Sequence, residues 1–183
     1  DTTPEVTQEW YDAGFTTEDA QACLEFLDWA AELDGSKITG CGAWDAETGA
    51  AHFLLEEPSD DTSAQIKALE GILRSVRAEE LTPFAARDGE VRYTLSFNDD
   101  YTGYYGFSLS ENGQVALDAP AEYETEGEPF PYMKAVAVVD NAELTQALYR
   151  LLRPALLDGL TEAERGVVDE FLHWAQALRA EDI

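Results

Sequence analysis

Val91-Arg92-Tyr93-Thr94-Leu95-Ser96-Phe97 alternates apolar with polar residues along its length. Period-two alternation places Val91, Tyr93, Leu95 and Phe97 on one face of an extended strand. Asn98-Asp99-Asp100 then reads as a turn, a second strand follows from Tyr104 to Ser110, and Asn112-Gly113 supplies a type I′ hairpin into Gln114–Asp118. Three antiparallel strands with one apolar face need a cover, and the flanking sequence offers helices to provide it.

Upstream, Thr16-x-x-Asp19 opens a helix over 17–33, in which the acid reaches back toward free backbone N–H groups. Ala20, Cys23, Leu24, Leu27 and Ala31 mark one apolar face and Phe26, Trp29, Ala30 and Leu33 another, so this helix is expected to be largely buried. Lys37–Trp44 and Ala51–Glu56 read as a hairpin, and Pro58-Ser59-Asp60-Asp61 caps a helix over about 62–77. Downstream, the acidic, proline-bearing segment 119–132 reads as a surface loop and Lys134–Val139 as a central strand. Asp140-Asn141 caps a helix over about 142–152 that Pro154 is expected to break, and Thr161-x-x-Glu164 opens a last helix to about 179. Glu25-Phe26-Leu27-x-Trp29-Ala30-x-x-Leu33 recurs as Glu170-Phe171-Leu172-x-Trp174-Ala175-x-x-Leu178, a stripe expected to pack in both copies.

The expected fold is therefore α+β: an antiparallel or mixed sheet of about five to six strands with helices on one face and terminal helices packed on the core. It is read as one domain over 1–183, with a helical segment at 1–35, the sheet and two helices at 36–153, and a C-terminal helix at 154–183.

Charge narrows the function. With 38 acidic residues against 11 basic, the chain carries −27 over 183 residues, and residues 1–61 alone hold 16 acids and one base. Such a surface repels phosphate backbones and anionic lipid, so nucleic acid is not an expected partner. No apolar run reaches the length of a transmembrane helix. Nothing in the sequence makes a G-x-S-x-G elbow, an H-E-x-x-H pair, a G-x-G-x-x-G turn or a P-loop, so no cofactor is expected. Two cysteines and two histidines, His52 and His173, lack zinc-finger spacing, and Asn98-Asp99-Asp100 lacks the remaining ligands of a calcium loop, so no metal site is assigned. Cys23 and Cys41 have 17 residues between them. That spacing leaves two readings open: a helix-to-strand disulfide, contributing on the order of 3 kcal/mol, or two separate buried thiols.

One stretch offers a ligand surface. In Tyr101-Thr102-Gly103-Tyr104-Tyr105-Gly106-Phe107, the residues Tyr101, Tyr104 and Tyr105 form a candidate stacking platform for a sugar or a peptide. Cross-strand packing of the tyrosines is the alternative. No catalytic residue is assigned.

Two strand-cap-helix units, Phe53 to Leu73 and Ala135 to Leu152, flank the Asn112-Gly113 hairpin. This layout resembles small exported, often lipid-anchored domains of Gram-positive bacteria. The resemblance covers roughly residues 37–153 and implies export and a binding or regulatory role. The start at Asp1-Thr2-Thr3-Pro4, with Met133 the sole methionine, suits a trimmed leader, and also a cleaved tag on a cytosolic protein. The expectation is thus an exported, non-enzymatic domain, extracellular or at the cell surface, that takes a protein or small-molecule ligand. The alternatives are a carboxylate-based hydrolase and an acidic cytoplasmic interaction protein.

Overall fold

The computed structural model describes residues 5–55, 59–85, 89–98, 104–125 and 128–157, together with 163, 166 and 167; for 122–132 and 153–157 it describes the backbone alone. The chain divides into two compact units, Asp1–Leu151 and Leu152–Ile183. The first carries a seven-stranded antiparallel sheet in the order β2-β1-β4-β5-β6-β7-β3. The strands are β1 (Gly40–Asp45), β2 (Ala51–Phe53), β3 (Leu81–Pro83), β4 (Val91–Asn98), β5 (Tyr104–Ser110), β6 (Val115–Thr125) and β7 (Glu128–Val139). The helices are α1 (Gln8–Asp12), α2 (Thr17–Ala31), α3 (Asp60–Leu73) and α4 (Ala142–Leu157), with a 3₁₀ turn at Ala78–Glu80. The class is α+β, as the alternation around Leu95 requires, with a strand count slightly above the five or six expected. The described part of the second unit is the end of α4 and helical backbone at 163, 166 and 167.

The helix starts follow the local chemistry. The Thr16 hydroxyl accepts the Asp19 N–H at 3.1 Å and donates to the Asp19 carboxylate at 2.8 Å. Ser59 accepts the Thr62 N–H at 3.1 Å at the head of α3, and the Asn141 side chain accepts the Leu144 N–H at 2.8 Å at the head of α4. Each cap satisfies a donor that the first helical turn leaves without an intrahelical partner.

Helix α2 supplies the aromatic core of the sheet. Phe26 is fully buried, edge-on to Tyr105 at 5.4 Å and to Phe107 at 6.0 Å, and Phe107 meets Phe97 at 6.1 Å. Trp29 lies 4.8 Å from Tyr105. The stripe read as buried in this helix is buried; its echo at 170–178 lies outside the described residues. On the same face, the Lys134 ammonium of β7 reaches the Asp19 carboxylate of α2 at 2.8 Å.

Two local readings are corrected. The segment 119–132 is not a loop: β6 and β7 pair from Ala119↔Lys134 to Thr125↔Glu128. The β5–β6 pairing ends at Gly106↔Asp118, while β6 and β7 stay paired on to Thr125↔Glu128 and run on as a two-stranded ribbon. Pro120, Pro129 and Pro131 lie opposite Met133, Glu124 and Glu122 in this ribbon; in a two-stranded ribbon every second N–H points away from the partner, so a proline at such a position costs the ladder nothing. Pro154 does not end α4, which runs on to Leu157. One lost backbone hydrogen bond is offset by strong helix formers on both sides, Leu151, Leu152, Ala155 and Leu156.

Candidate functional site

Alternation sends the side chains of the sheet to two faces with different chemistry. Cys41, Ala43, Leu95, Phe97, Tyr105, Phe107 and Leu109 are buried on the α2 side. The other side of β2, β1, β4 and β5 carries Ala51 and Phe53; Gly40, Gly42 and Trp44; Thr94, Ser96 and Asn98; and Tyr104, Gly106 and Ser108. Shared direction is visible in the contacts. A Cβ built on Gly42 would lie 3.2 Å from the Ser96 hydroxyl, and the Asn98 amide lies directly over Gly40.

Three rings stand out of this second face. Trp44 is 47% exposed, Phe53 66% and Tyr104 47%. Trp44 pairs with Ala51 and Phe53 with Gly42, so the two rings are diagonal neighbours across β1–β2, with Cα atoms about 7–8 Å apart. Tyr104 pairs with Asn98, which pairs with Gly40, and so stands on the far side of the same floor. Between the rings the floor is low and hydroxyl-bearing: Gly42, Thr94, Ser96 and the Asn98 amide. Toward β6 the face closes over, and Ser108, Ser110 and Asp118 are buried, the Ser108 hydroxyl donating to the Asp118 carboxylate.

The hairpin that presents Trp44 is held at its tip. The Asp45 carboxylate accepts the N–H groups of Glu47 at 2.9 Å and Thr48 at 3.2 Å, and Gly49 takes the positive φ of 71° that closes the turn. Arg92, the extra residue of a bulge between Val91 and Tyr93, reaches Asp45 at 3.4 Å, pairs with Glu47 and hydrogen-bonds the Tyr93 hydroxyl at 3.2 Å. A turn fixed by its own carboxylate and by a neighbouring strand gives the Trp44 ring a rigid base.

The tyrosine platform is split. Tyr104 belongs to the exposed face, whereas Tyr105, 7% exposed, points the other way into the rings of Phe26 and Trp29. Adjacent strand residues face opposite sides, so these two never share a ligand surface. Tyr101 lies outside the described residues. Trp44 and Phe53 escaped the sequence reading; the spacing Gly40-x-Gly42-x-Trp44, read as alternation, was the available signal.

The cysteines are not bonded. Both are free and buried, so the disulfide reading is replaced by two separate thiols. Burial pushes the Cys23 thiol up to about 12, with the Asp19 charge adding to it, and burial alone does the same for Cys41. Neither thiol is expected to react with a thiol-specific reagent at pH 8 in the folded protein, and both are expected to react at once in denaturant. An unfolded thiol ionises near pH 9 while the folded one does not, so the stability tied to these protons is intact below pH 9 and is lost as pH rises from 9 toward 12. A urea midpoint that climbs over that range contradicts this.

A groove of about 770 Å³ opens beside the head of α4, lined by Glu79, Glu80, Asp140 and Glu143 together with Arg77. Glu80 is occupied structurally: its carboxylate accepts the Arg77 N–H at 2.9 Å and the Asn141 amide at 3.0 Å. These contacts make the groove a seam between the 3₁₀ turn and α4. Among the described residues, no cluster of histidine, cysteine and acidic side chains is arranged to hold a metal ion, and no helix is long and apolar enough to cross a membrane. Asp99 and Asp100 lie outside the described residues.

No family model, curated protein or solved structure matches this chain.

Proposed function

We propose that this protein is an exported, non-enzymatic binding domain whose ligand seats on the exposed face of β2, β1, β4 and β5. The observation that carries the reading is the grouping of Trp44, Phe53 and Tyr104, three of the large exposed apolar side chains, on one side of one sheet. Scattered exposed rings need no explanation, but rings collected around a floor of small residues form a surface suited to contact. Among the described residues none of the three rings stacks on another ring, so all are open to an incoming group.

Export rests on the layout of two strand-cap-helix units around the Asn112-Gly113 hairpin. The free thiols do not oppose it, since Cys23 and Cys41 are sealed from oxidants by burial. Immunodetection in fractionated source cells should find the chain in the envelope or medium. A signal confined to the cytoplasm overturns this half of the proposal.

The binding half has its own test. The double variant Trp44→Ala, Phe53→Ala should melt within about 1 kcal/mol of the parent, because exposed side chains contribute little to packing. It should also lose a calorimetric binding response that the parent shows to at least one of three ligand classes: oligosaccharides, peptides or lipid vesicles. A loss of stability of the size seen for core substitutions would make this face a packing surface. A parent that responds to none of the three would remove the binding reading altogether.

A further inference from the structure

The described side chains of the exposed face are uncharged, in a heavily charged molecule. The chain carries −27, yet among the described residues the side chains that strand pairing puts on this face, Ala51, Phe53, Trp44, Thr94, Ser96, Asn98, Tyr104 and Ser108, include neither an acid nor a base. The nearest carboxylate on the same row, Asp118, is 4% exposed and already accepts the Ser108 hydroxyl. We infer that the ligand of this face is a neutral oligosaccharide, lying across Gly42 and Ser96 with Trp44, Phe53 and Tyr104 around it. The inference rests on the binding role proposed for the face and names the chemistry of the occupant.

Charge selects the occupant first. A cationic peptide gains from acids, and the described side chains of this face offer none. Nucleic acid, anionic lipid and a second copy of the chain would each bring negative charge to a molecule already at −27. A purely apolar ligand would bury the Thr94 and Ser96 hydroxyls and the Asn98 amide without partners, which is costly. A sugar suits both halves of the surface. Its ring C–H faces lie against the aromatic rings, and its hydroxyls exchange hydrogen bonds with Thr94, Ser96 and Asn98.

Geometry sets the size. Phe53 and Tyr104 stand three strand intervals apart, roughly 16 Å when the row offset is included. That span exceeds a single sugar ring, so the face fits a chain of several residues. Gly42 matters for the depth of the floor: its missing Cβ leaves the Ser96 hydroxyl, otherwise 3.2 Å from it, open from above.

The test is a titration of the intact chain with neutral tetra- to hexasaccharides of three kinds: β-1,4-linked glucose, β-1,4-linked N-acetylglucosamine and α-1,4-linked glucose. Oligolysine serves as the charged comparison, and calorimetry and tryptophan fluorescence supply the readouts. At least one glycan series is expected to bind. Its affinity should fall at least about tenfold in Trp44→Ala and in Phe53→Ala, and stay unchanged in Tyr11→Ala, an exposed ring elsewhere on the surface. It should also hold constant between ~0.05 and ~0.5 M NaCl, because no ion pair is made. Glycan affinity unaffected by Trp44→Ala overturns the inference, as does affinity that collapses in salt. Binding of oligolysine but of no glycan, sensitive to Trp44→Ala, overturns the sugar while leaving the face as a binding surface. Silence toward every glycan and toward oligolysine overturns the sugar; the binding role of the face falls only if peptides and lipid vesicles also draw no response.

Discussion

Phe26→Ala is expected to lower the stability of the folded chain by about 3–5 kcal/mol, against a total of about 5–15 kcal/mol for a domain of ordinary stability. Phe26 is completely buried and meets three rings, Trp29, Tyr105 and Phe107, each between 5.4 and 6.1 Å away. Truncation removes the transfer free energy of the ring and leaves a cavity under α2 that fixed strands cannot fill. The edge-on geometry with Tyr105 and Phe107 adds a contribution beyond area, about 0.5–1.5 kcal/mol for each such pair. Phe26→Leu should recover much of the loss, because it refills most of the volume. Urea denaturation checks both variants. A Phe26→Ala midpoint equal to that of the parent would show that α2 is not the cover of this sheet.

Glu70→Ala is expected to cost about 2–4 kcal/mol, an unusual figure for an acidic residue in a chain with so many. Glu70 is 1% exposed on α3, and its carboxylate accepts two backbone donors from the segment that joins α2 to β1: the Gly35 N–H, and the Ile38 N–H at 2.8 Å. Gly35 turns there with a φ of 93°, and its amide and that of Ile38 need an acceptor once buried. Removing the carboxylate strands both donors. Glu70→Gln is expected to recover only part of the loss, since its amide nitrogen presents a donor to one of them. Hydrogen exchange at Ile38 supplies an independent reading: its amide should lose protection in Glu70→Ala well before the amides of β4 and β5 do. Unchanged protection together with unchanged stability would mean that the loop holds itself without α3.

These two residues also show how differently the sequence speaks about the fold and about particular sites. Phe26 was legible because helical periodicity is a local signal, and a helix with two apolar faces has to be buried. Glu70 was not, because nothing near it in sequence distinguishes it from the other acids of the chain. Its role depends on donors 32 and 35 residues away, brought to it only when α3 packs beside the α2–β1 segment. The tyrosines fall between the two. Their residue type advertised a contact surface, but strand direction separated Tyr104 from Tyr105 and joined Tyr104 to the same face as Trp44 and Phe53, residues from a hairpin some fifty positions upstream.

By itself the sequence determined the α+β class, the meander through β4, β5 and β6, the capped starts of α2, α3 and α4, and the burial of the Phe26 stripe. Each of these follows from neighbours within a few residues: a period of two or of 3.6, an Asn-Gly turn, a hydroxyl or amide next to unpaired N–H groups. Only the tertiary structure decided that 119–125 and 128–132 pair as a ribbon, that the thiols of Cys23 and Cys41 stay apart, that Glu70 is a buried bracket, and that the exposed rings gather on one face. Those outcomes depend on which strand becomes whose neighbour. The order β2-β1-β4-β5-β6-β7-β3 is set by how the apolar faces of distant segments can all be buried together, a condition that no local stretch of the chain contains.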